Sequence, residues 1–346
     1  MVRVLVAEDS AVTRELLVYL LHQDAALRVV GTARDGLEAV EQAERLRPDV
    51  ILMDVHMPRM NGYEATRRIM ERIPTPIVMV SASSSRDEAA AAFGAIEAGA
   101  LTVMDKPGAP DRPNHAEVAR RLVETVKLMS EVKVVRRWPR RERPVPPPPP
   151  LANADRKVQL IAIGASTGGP AVVAEILGAL PAGLAAPILV VQHIAPGFST
   201  GLAEWLGQRT RLAVKLAEPG EPARPGTVYL APDGSQMGIK KDGRIRLTKE
   251  PAEGGFCPSA THLFESVADA YGRAAAGILL TGMGRDGAAG LRKLLGAGAL
   301  TIAQDEETSV VFGMPGEAIR LGAAEYVLAP AQIAGAISSL VNSDRG

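Results

Sequence analysis

The chain has 346 residues, with 39 basic against 39 acidic side chains. It is too long for one ordinary core, and two domains are expected. A zero net charge argues against a general role on nucleic acid or a membrane surface, both of which need a basic excess. The single cysteine, Cys257, excludes an internal disulfide framework and a thiolate zinc cluster, and it suits a reducing compartment. Residues Met1 to Asp9 reach acid after a short apolar run, unlike a signal peptide, and no apolar stretch approaches bilayer-spanning length. A cytoplasmic, soluble monomer with no membrane insertion is expected.

From the N-terminus, strand-like runs at Val2 to Ala7, Val29 to Ala33, Val50 to Val55, Ile77 to Ala82 and Leu101 to Met104 alternate with helix-like segments. The helices are expected at Thr13 to Gln23, Gly36 to Arg45, Gly62 to Arg72, Ala89 to Ala98 and His115 to Met129. Five such units predict a doubly wound parallel α/β sheet, whose ligands sit beyond the carboxyl ends of the strands. Collected there are Glu8 and Asp9, Asp54, Ser81 and Lys106. Three converging carboxylates would be costly unless a hard cation such as Mg2+ joined them and the lysine shared the charge. Such a cluster activates Asp54 as a nucleophile toward a phosphoryl group, with the metal and Lys106 stabilising its oxygens. The structural alternative is that Glu8 and Asp9 cap the first helix while Asp54 merely ends a strand.

Val4-Leu5-Val6-Ala7-Glu8-Asp9-Ser10 and the segment from Leu52 through Asp54 to Gly62 resemble a two-component receiver domain. The resemblance implies a flavodoxin-like receiver over residues 1–122, with Asp54 as phosphoacceptor and Mg2+ held by Glu8, Asp9, Asp54 and the backbone carbonyl of His56. It also implies Ser81 as the switch hydroxyl, Lys106 as the charge partner and a histidine kinase as phosphodonor. The usual aromatic switch position, three residues before the lysine, is Val103 here.

Composition changes after Lys127, through Arg136-Arg137-Trp138-Pro139-Arg140-Arg141 to the proline run ending at Pro150. Prolines in series favour extended polyproline II, so residues 123–156 read as a basic, proline-rich, semi-rigid linker. Residues 157–346 alternate again. Strands are expected at Leu160 to Gly164, Ile188 to Gln192, Val228 to Ala231, Ala276 to Leu280, Thr301 to Ala303 and Tyr326 to Leu328. Helices are expected at Pro170 to Leu180, Gly201 to Gln208, Pro258 to Tyr271, Gly287 to Leu295, Gly316 to Leu321 and Ala331 to Leu340. Lys240-Lys241-Asp242-Gly243-Arg244 reads as a hairpin turn between exposed strands, because Asp-Gly supplies positive-φ positions. A second doubly wound, Rossmann-like α/β sheet with an antiparallel hairpin follows.

Gly164-Ala165-Ser166-Thr167-Gly168 fits a nucleophile elbow, in which small residues lift a serine above the sheet edge, and equally a turn that cradles phosphate on a helix N-terminus. Of five histidines, His22, His56 and His115 precede this domain. His193 closes a strand at the same sheet edge as Ser166, whereas His262 falls within a helix. Asp286 follows another buried strand at a helix start, where it can serve as an N-cap or orient an imidazole. Ser166, His193 and Asp286 then form a candidate triad, with the backbone N–H groups of Thr167 and Met283 as oxyanion donors. Cys257 precedes a proline with no identifiable base beside it, so it reads as a packed residue.

The order Ser, His, Asp differs from the Ser, Asp, His of α/β-hydrolases. Together with Gln192-His193, Thr281-Gly282-Met283-Gly284-Arg285-Asp286-Gly287 and Val311-Phe312-Gly313-Met314-Pro315, the serine motif resembles the catalytic domain of chemotaxis protein-glutamate methylesterases. The resemblance implies the same triad, Met283 as an oxyanion contributor, no cofactor for the esterase reaction, and methylated chemoreceptor helices as substrate. It further implies release of methanol, deamidation of specific receptor glutamines and control by phosphorylation, serving chemotactic adaptation. The alternatives are a paralogue serving a non-flagellar chemosensory pathway, a non-catalytic response-regulator scaffold, and a DNA-binding regulator, the last disfavoured by the absence of a basic helix.

Overall fold

The computed structural model describes residues 1–81, 93–108, 115–132, 134, 157–249 and 256–341. They belong to two compact units that divide between residues 141 and 142, within the stretch outside the described residues.

The first unit contains β1 (Val2–Ala7), α1 (Ala11–His22), β2 (Leu27–Ala33), α2 (Gly36–Leu46), β3 (Val50–Asp54), α3 (Gly62–Arg72), β4 (Ile77–Ser81), β5 (Thr102–Asp105) and α4 (His115–Ser130). Its sheet runs β2-β1-β3-β4-β5, with every pair parallel. The continuous apolar runs of β3 and β4 are buried along their whole length, as strands covered on both faces must be. Helices start where a short polar side chain accepts orphan N–H groups: Ser10 from Thr13, Asp35 from Leu37 and Glu38, and Asn61 from Glu64. Ser10, not Glu8 or Asp9, therefore caps α1, which leaves both acids free of that duty. Of the helix expected at Ala89 to Ala98, only 93–98 lie within the described residues, and these are helical. Ala82, the expected end of the fourth strand, lies outside them. Helix α4 continues past residue 122, because Ala119, Leu122, Val126 and Met129 carry one buried stripe down its length. Most of the expected 123–156 linker lies outside the described residues.

The second unit contains β6 (Leu160–Ala165), α5 (Gly169–Ala179), β7 (Ile188–Gln192), α6 (Ser199–Gly207), β8 (Ala213–Leu216), β9 (Thr227–Leu230), β10 (Gln236–Ile239), β11 (Ile245–Thr248), α7 (Ala260–Tyr271), β12 (Ala275–Leu279), α8 (Ala288–Gly296), β13 (Leu300–Gln304), α9 (Met314–Arg320), β14 (Tyr326–Leu328) and α10 (Pro330–Val341). Seven strands form one sheet in the order β14-β13-β12-β6-β7-β9-β8, parallel throughout. The chain builds outward from β6 on one side, then returns to build on the other. That reversal sets the carboxyl ends of β6, β7 and β12 side by side, at the switch point where α/β sheets place ligands.

Two expectations fail here. Strand β8 was not anticipated: it lies at the sheet edge, it includes Lys215, and its residues are only partly covered, so it lacks an apolar run. The hairpin β10–β11 has its expected turn, with Gly243 at φ 78°. Its first strand is nevertheless buried at every residue and packs against α7. The alternation Gln236, Met237, Gly238, Ile239 hides this, because its polar member is buried through its amide.

Candidate functional site

In the first unit, Glu8, Asp9 and Asp54 each place a carboxylate oxygen within 4.8 Å of the others. Lys106 Nζ bridges two of them, 3.0 Å from Glu8 Oε2 and 2.9 Å from Asp54 Oδ1. Burial, and then the nearby Asp54 charge, lifts the Glu8 pKa above the usual carboxylate range. Burial likewise raises Asp54 against the pull of Lys106. Burial opposes the charge on Lys106, but Asp54 and Glu8 outweigh it and raise its pKa. A converging set of hard oxygen donors, still short of positive charge, fits a divalent cation such as Mg2+.

The loop after β3 is shaped for this site. The His56 N–H approaches Asp54 Oδ1 at 3.4 Å, and a Cβ at Gly62 would collide with the Asp54 carbonyl. Arg59, at φ 63°, forms an ion pair with Asp35 and ties the same loop to the start of α2. Arg14 Nη1 donates to the carbonyls of Glu8 at 2.8 Å and Asp9 at 3.2 Å, bracing the other side. Ser81 ends β4 beside Asp105, and its carbonyl accepts from Lys106 N at 2.9 Å. Val103 is buried in β5.

In the second unit, the turn after β6 presents Ser166. Gly168 takes φ 78° as the N-cap of α5, a conformation an L side chain resists, and Val310 packs where its Cβ would lie. Ser166 N donates to Thr281 O at 3.0 Å, and a Cβ at Gly282 would stand 2.6 Å from Ser166 Cβ, so two glycine-bracketed loops meet at the serine. The 281–284 loop is in turn held from behind. Gly282 N donates to Val311 O, Gly313 N and Met314 N donate to Gly282 O, and Thr281 Oγ1 lies 3.0 Å from Thr167 O. This explains the Val311 to Pro315 motif as scaffolding. Among the described residues, neither Thr167 N–H nor Met283 N–H donates to a backbone carbonyl.

His193 follows β7, its N–H donating to Ala165 O at 2.9 Å, and its Nε2 lies 2.9 Å from Asp286 Oδ2. That approach has hydrogen-bond length, but the ring N–H is not well directed at the oxygen. Asp286 does not cap the helix it precedes; Gly287 is the N-cap of α8. Instead its carboxylate accepts from Ser259 Oγ at 2.8 Å, Ala260 N at 2.7 Å and Thr261 N at 3.1 Å, at the N-terminus of the neighbouring helix α7. Burial alone would raise its pKa. His193 and the α7 donors reverse that and hold it well below the usual aspartate range.

The structure thus brings Ser166, His193, Asp286, Thr167 and Met283 to one sheet edge, and Glu8, Asp9, Asp54, His56, Ser81 and Lys106 to the other unit's strand ends. His262 lies in α7, partly buried. Burial raises the thiol pKa of Cys257, unlike an activated nucleophile. Sequence reasoning assigned no role to Gln192. Its Nε2 donates to Ser166 O at 2.8 Å and His193 O at 2.9 Å, so one amide braces the Ser166 turn and the His193 backbone together. Its signals were its place as a polar residue ending a buried apolar strand and its pairing with His193 in the family motif. Gln304, fully buried and accepting from Thr281 N, was equally unmarked.

The fold and these two sites define a class: a receiver-type domain followed by a parallel α/β hydrolase-type domain. The pattern of the CheB methylesterase family matches residues 161–337, and that of the response regulator receiver domain matches 4–116. A protein-glutamate methylesterase/protein-glutamine glutaminase of Syntrophus aciditrophicus is 51% identical over 99% of each chain. Another, of Myxococcus xanthus, is 50% identical over 99% of this chain and 98% of its own. The crystal structure of the Thermotoga maritima CheB methylesterase catalytic domain is 40% identical, covers 53% of this chain and 99% of its own, and superimposes with a TM-score of 0.52. The chain belongs to the protein-glutamate methylesterase/protein-glutamine glutaminase family. No helix among the described residues is long and apolar enough to cross a membrane.

Proposed function

We propose that this chain is a phosphorylation-controlled serine hydrolase that removes methyl groups from glutamate esters on chemoreceptor helices. The observation that carries the reading is the 2.9 Å approach of His193 Nε2 to Asp286 beside the Ser166 turn. With Nε2 turned to the acid, Nδ1 is the ring nitrogen left to take the proton of Ser166. The Ser166 oxygen then attacks the ester carbon, and the amides of Thr167 and Met283 receive the oxyanion. Collapse expels methanol, protonated by His193, and leaves an acyl-enzyme. Water, activated by the same imidazole, hydrolyses it to glutamate. The same acyl chemistry would deamidate receptor glutamines with release of ammonia. The fixed negative charge of Asp286 stabilises the imidazolium formed in both halves.

In this reading the receiver spans 1–122 and the remainder of α4, a linker runs to 156, and the catalytic domain occupies 157–346. Glu8, Asp9, Asp54 and the His56 carbonyl would hold Mg2+, which when bound offsets phosphoryl charge. The chain's own part is Asp54 as acceptor from a chemotaxis histidine kinase, Lys106 as partner to the new charge, and Ser81 as the switch hydroxyl. The protein would act in the cytoplasm as a monomer. Ser166→Ala should lower methanol release from methylated receptors by about 10^4-fold or more; undiminished release defeats the assignment. Acetyl phosphate should raise the rate of the full chain and leave an Asp54→Asn chain unchanged.

A further inference from the structure

Phe256 lies flat against His193, with ring centroids 4.7 Å apart and planes 1° from parallel. Phe256 is 41% exposed, so its own burial is a weak reason for this placement. Its backbone is anchored instead. Gln236, buried at the start of β10, donates from Nε2 to Phe256 O at 2.6 Å and accepts from Ser259 N on Oε1 at 2.9 Å. One amide thus holds both ends of the Phe256 to Ser259 segment. Its far end donates the Ser259 hydroxyl to Asp286 at 2.8 Å. The segment touches the imidazole on one side and the carboxylate on the other.

We propose that Phe256 is a positioning residue for His193, held in place by Gln236. The contact between Nε2 and Asp286 is short but poorly directed, so it does not by itself fix the plane of the imidazole. Rotating that ring about its Cβ–Cγ bond would drive its edge into the facing phenyl ring, and the stack removes this freedom. Orientation of the base matters in the transition state more than in substrate binding, because a small misplacement of a catalytic group is felt in the proton-transfer step. The hairpin β10–β11 then has a catalytic purpose, since its first residue sets the stack.

This inference rests on the reading of His193 as the base, and its test separates the two. In the full wild-type chain labelled at histidine, nuclear Overhauser contacts should join the His193 and Phe256 ring protons; their absence overturns the stack without reference to turnover. The ring protons of His193, shielded by the facing phenyl, should move downfield in Phe256→Leu and stay near the wild-type position in Phe256→Tyr. On methylated receptor, Phe256→Leu should lower kcat about tenfold with KM within about twofold, and Phe256→Tyr should restore kcat. A loss confined to KM, or no rescue by tyrosine, overturns the proposal in favour of a substrate contact. A His193→Ala chain that keeps turnover overturns the catalytic reading and this proposal with it. An inert His193→Ala chain beside an unaffected Phe256→Leu chain overturns this proposal alone.

Discussion

Both units bury an aspartate at the carboxyl end of their sheet, and they surround it in opposite ways. Asp54 shares its space with Glu8 and Asp9, and burial raises its pKa even with Lys106 alongside. Asp286 is also buried, but a hydroxyl, two backbone N–H groups and an imidazole converge on it, and its pKa falls. Burial alone would push both upward; the supply of donors decides the sign. A carboxylate short of partners is ready to take a cation and a phosphoryl group, whereas one saturated with donors stays ionised and still. The two environments support the roles proposed for them, phosphoryl acceptor for Asp54 and orienting acid for Asp286.

The same chemical change should break the two sites in opposite directions. Asp286→Asn replaces acceptors by an amide that points a donor at Ala260 N–H or at His193. Turnover should fall by about 10^4-fold, measured as methanol release. The catalytic unit should lose about 2 kcal/mol of stability, seen as a lower melting transition. Asp54→Asn removes like charge instead. Incorporation of phosphoryl from acetyl phosphate should vanish, while the receiver melts about 3 °C higher in the absence of Mg2+. Two aspartates that shift stability in the same direction would end the contrast.

A smaller effect follows from pH. The folded-state pKa of Asp286 is depressed, so its stabilisation is complete above the ordinary aspartate value of about 3.9 and is lost only as pH falls below it. Glu8 and Asp54 have raised values, so their ionisation costs stability at neutral pH, and acidification through those values relieves the cost. Lowering pH from neutrality toward the ordinary carboxylate range should therefore leave the Asp286 contribution to the catalytic transition unchanged and move the receiver transition up. The stabilisation conferred by Mg2+ should shrink over the same interval. Scanning calorimetry of the full chain, with and without Mg2+, reads both transitions.

Much of the molecule was legible beforehand, for identifiable reasons. Buried parallel strands are unbroken apolar runs, so β1, β3, β4, β6, β7 and β12 announced themselves, and the polar residue ending each run marked a ligand edge. The edge strand β8 did not, because half-covered strands tolerate lysine. The hairpin was legible in its Asp-Gly turn and illegible in its burial, since Gln236 reads as a surface residue until its two hydrogen bonds are seen. Phe256 gave no such signal: its neighbour Cys257 reads as a packed residue, and the contact with His193 belongs to the phenyl ring beside it.

The sequence by itself determined the candidate reacting groups of the proposed function: one serine between glycines, one histidine at a strand end, one aspartate after a buried strand, and an acid cluster opposite Lys106. These depend on local pattern and on the rule that polar side chains at strand ends share an edge. What only the tertiary structure decided was how each group is held. Asp286 caps α7 instead of the helix it precedes, Gln192 ties the serine turn to the histidine, and Phe256 faces the imidazole from a segment anchored to β10. Each of these joins residues far apart in the chain, and such contacts are chosen by packing, which no local run of residues encodes.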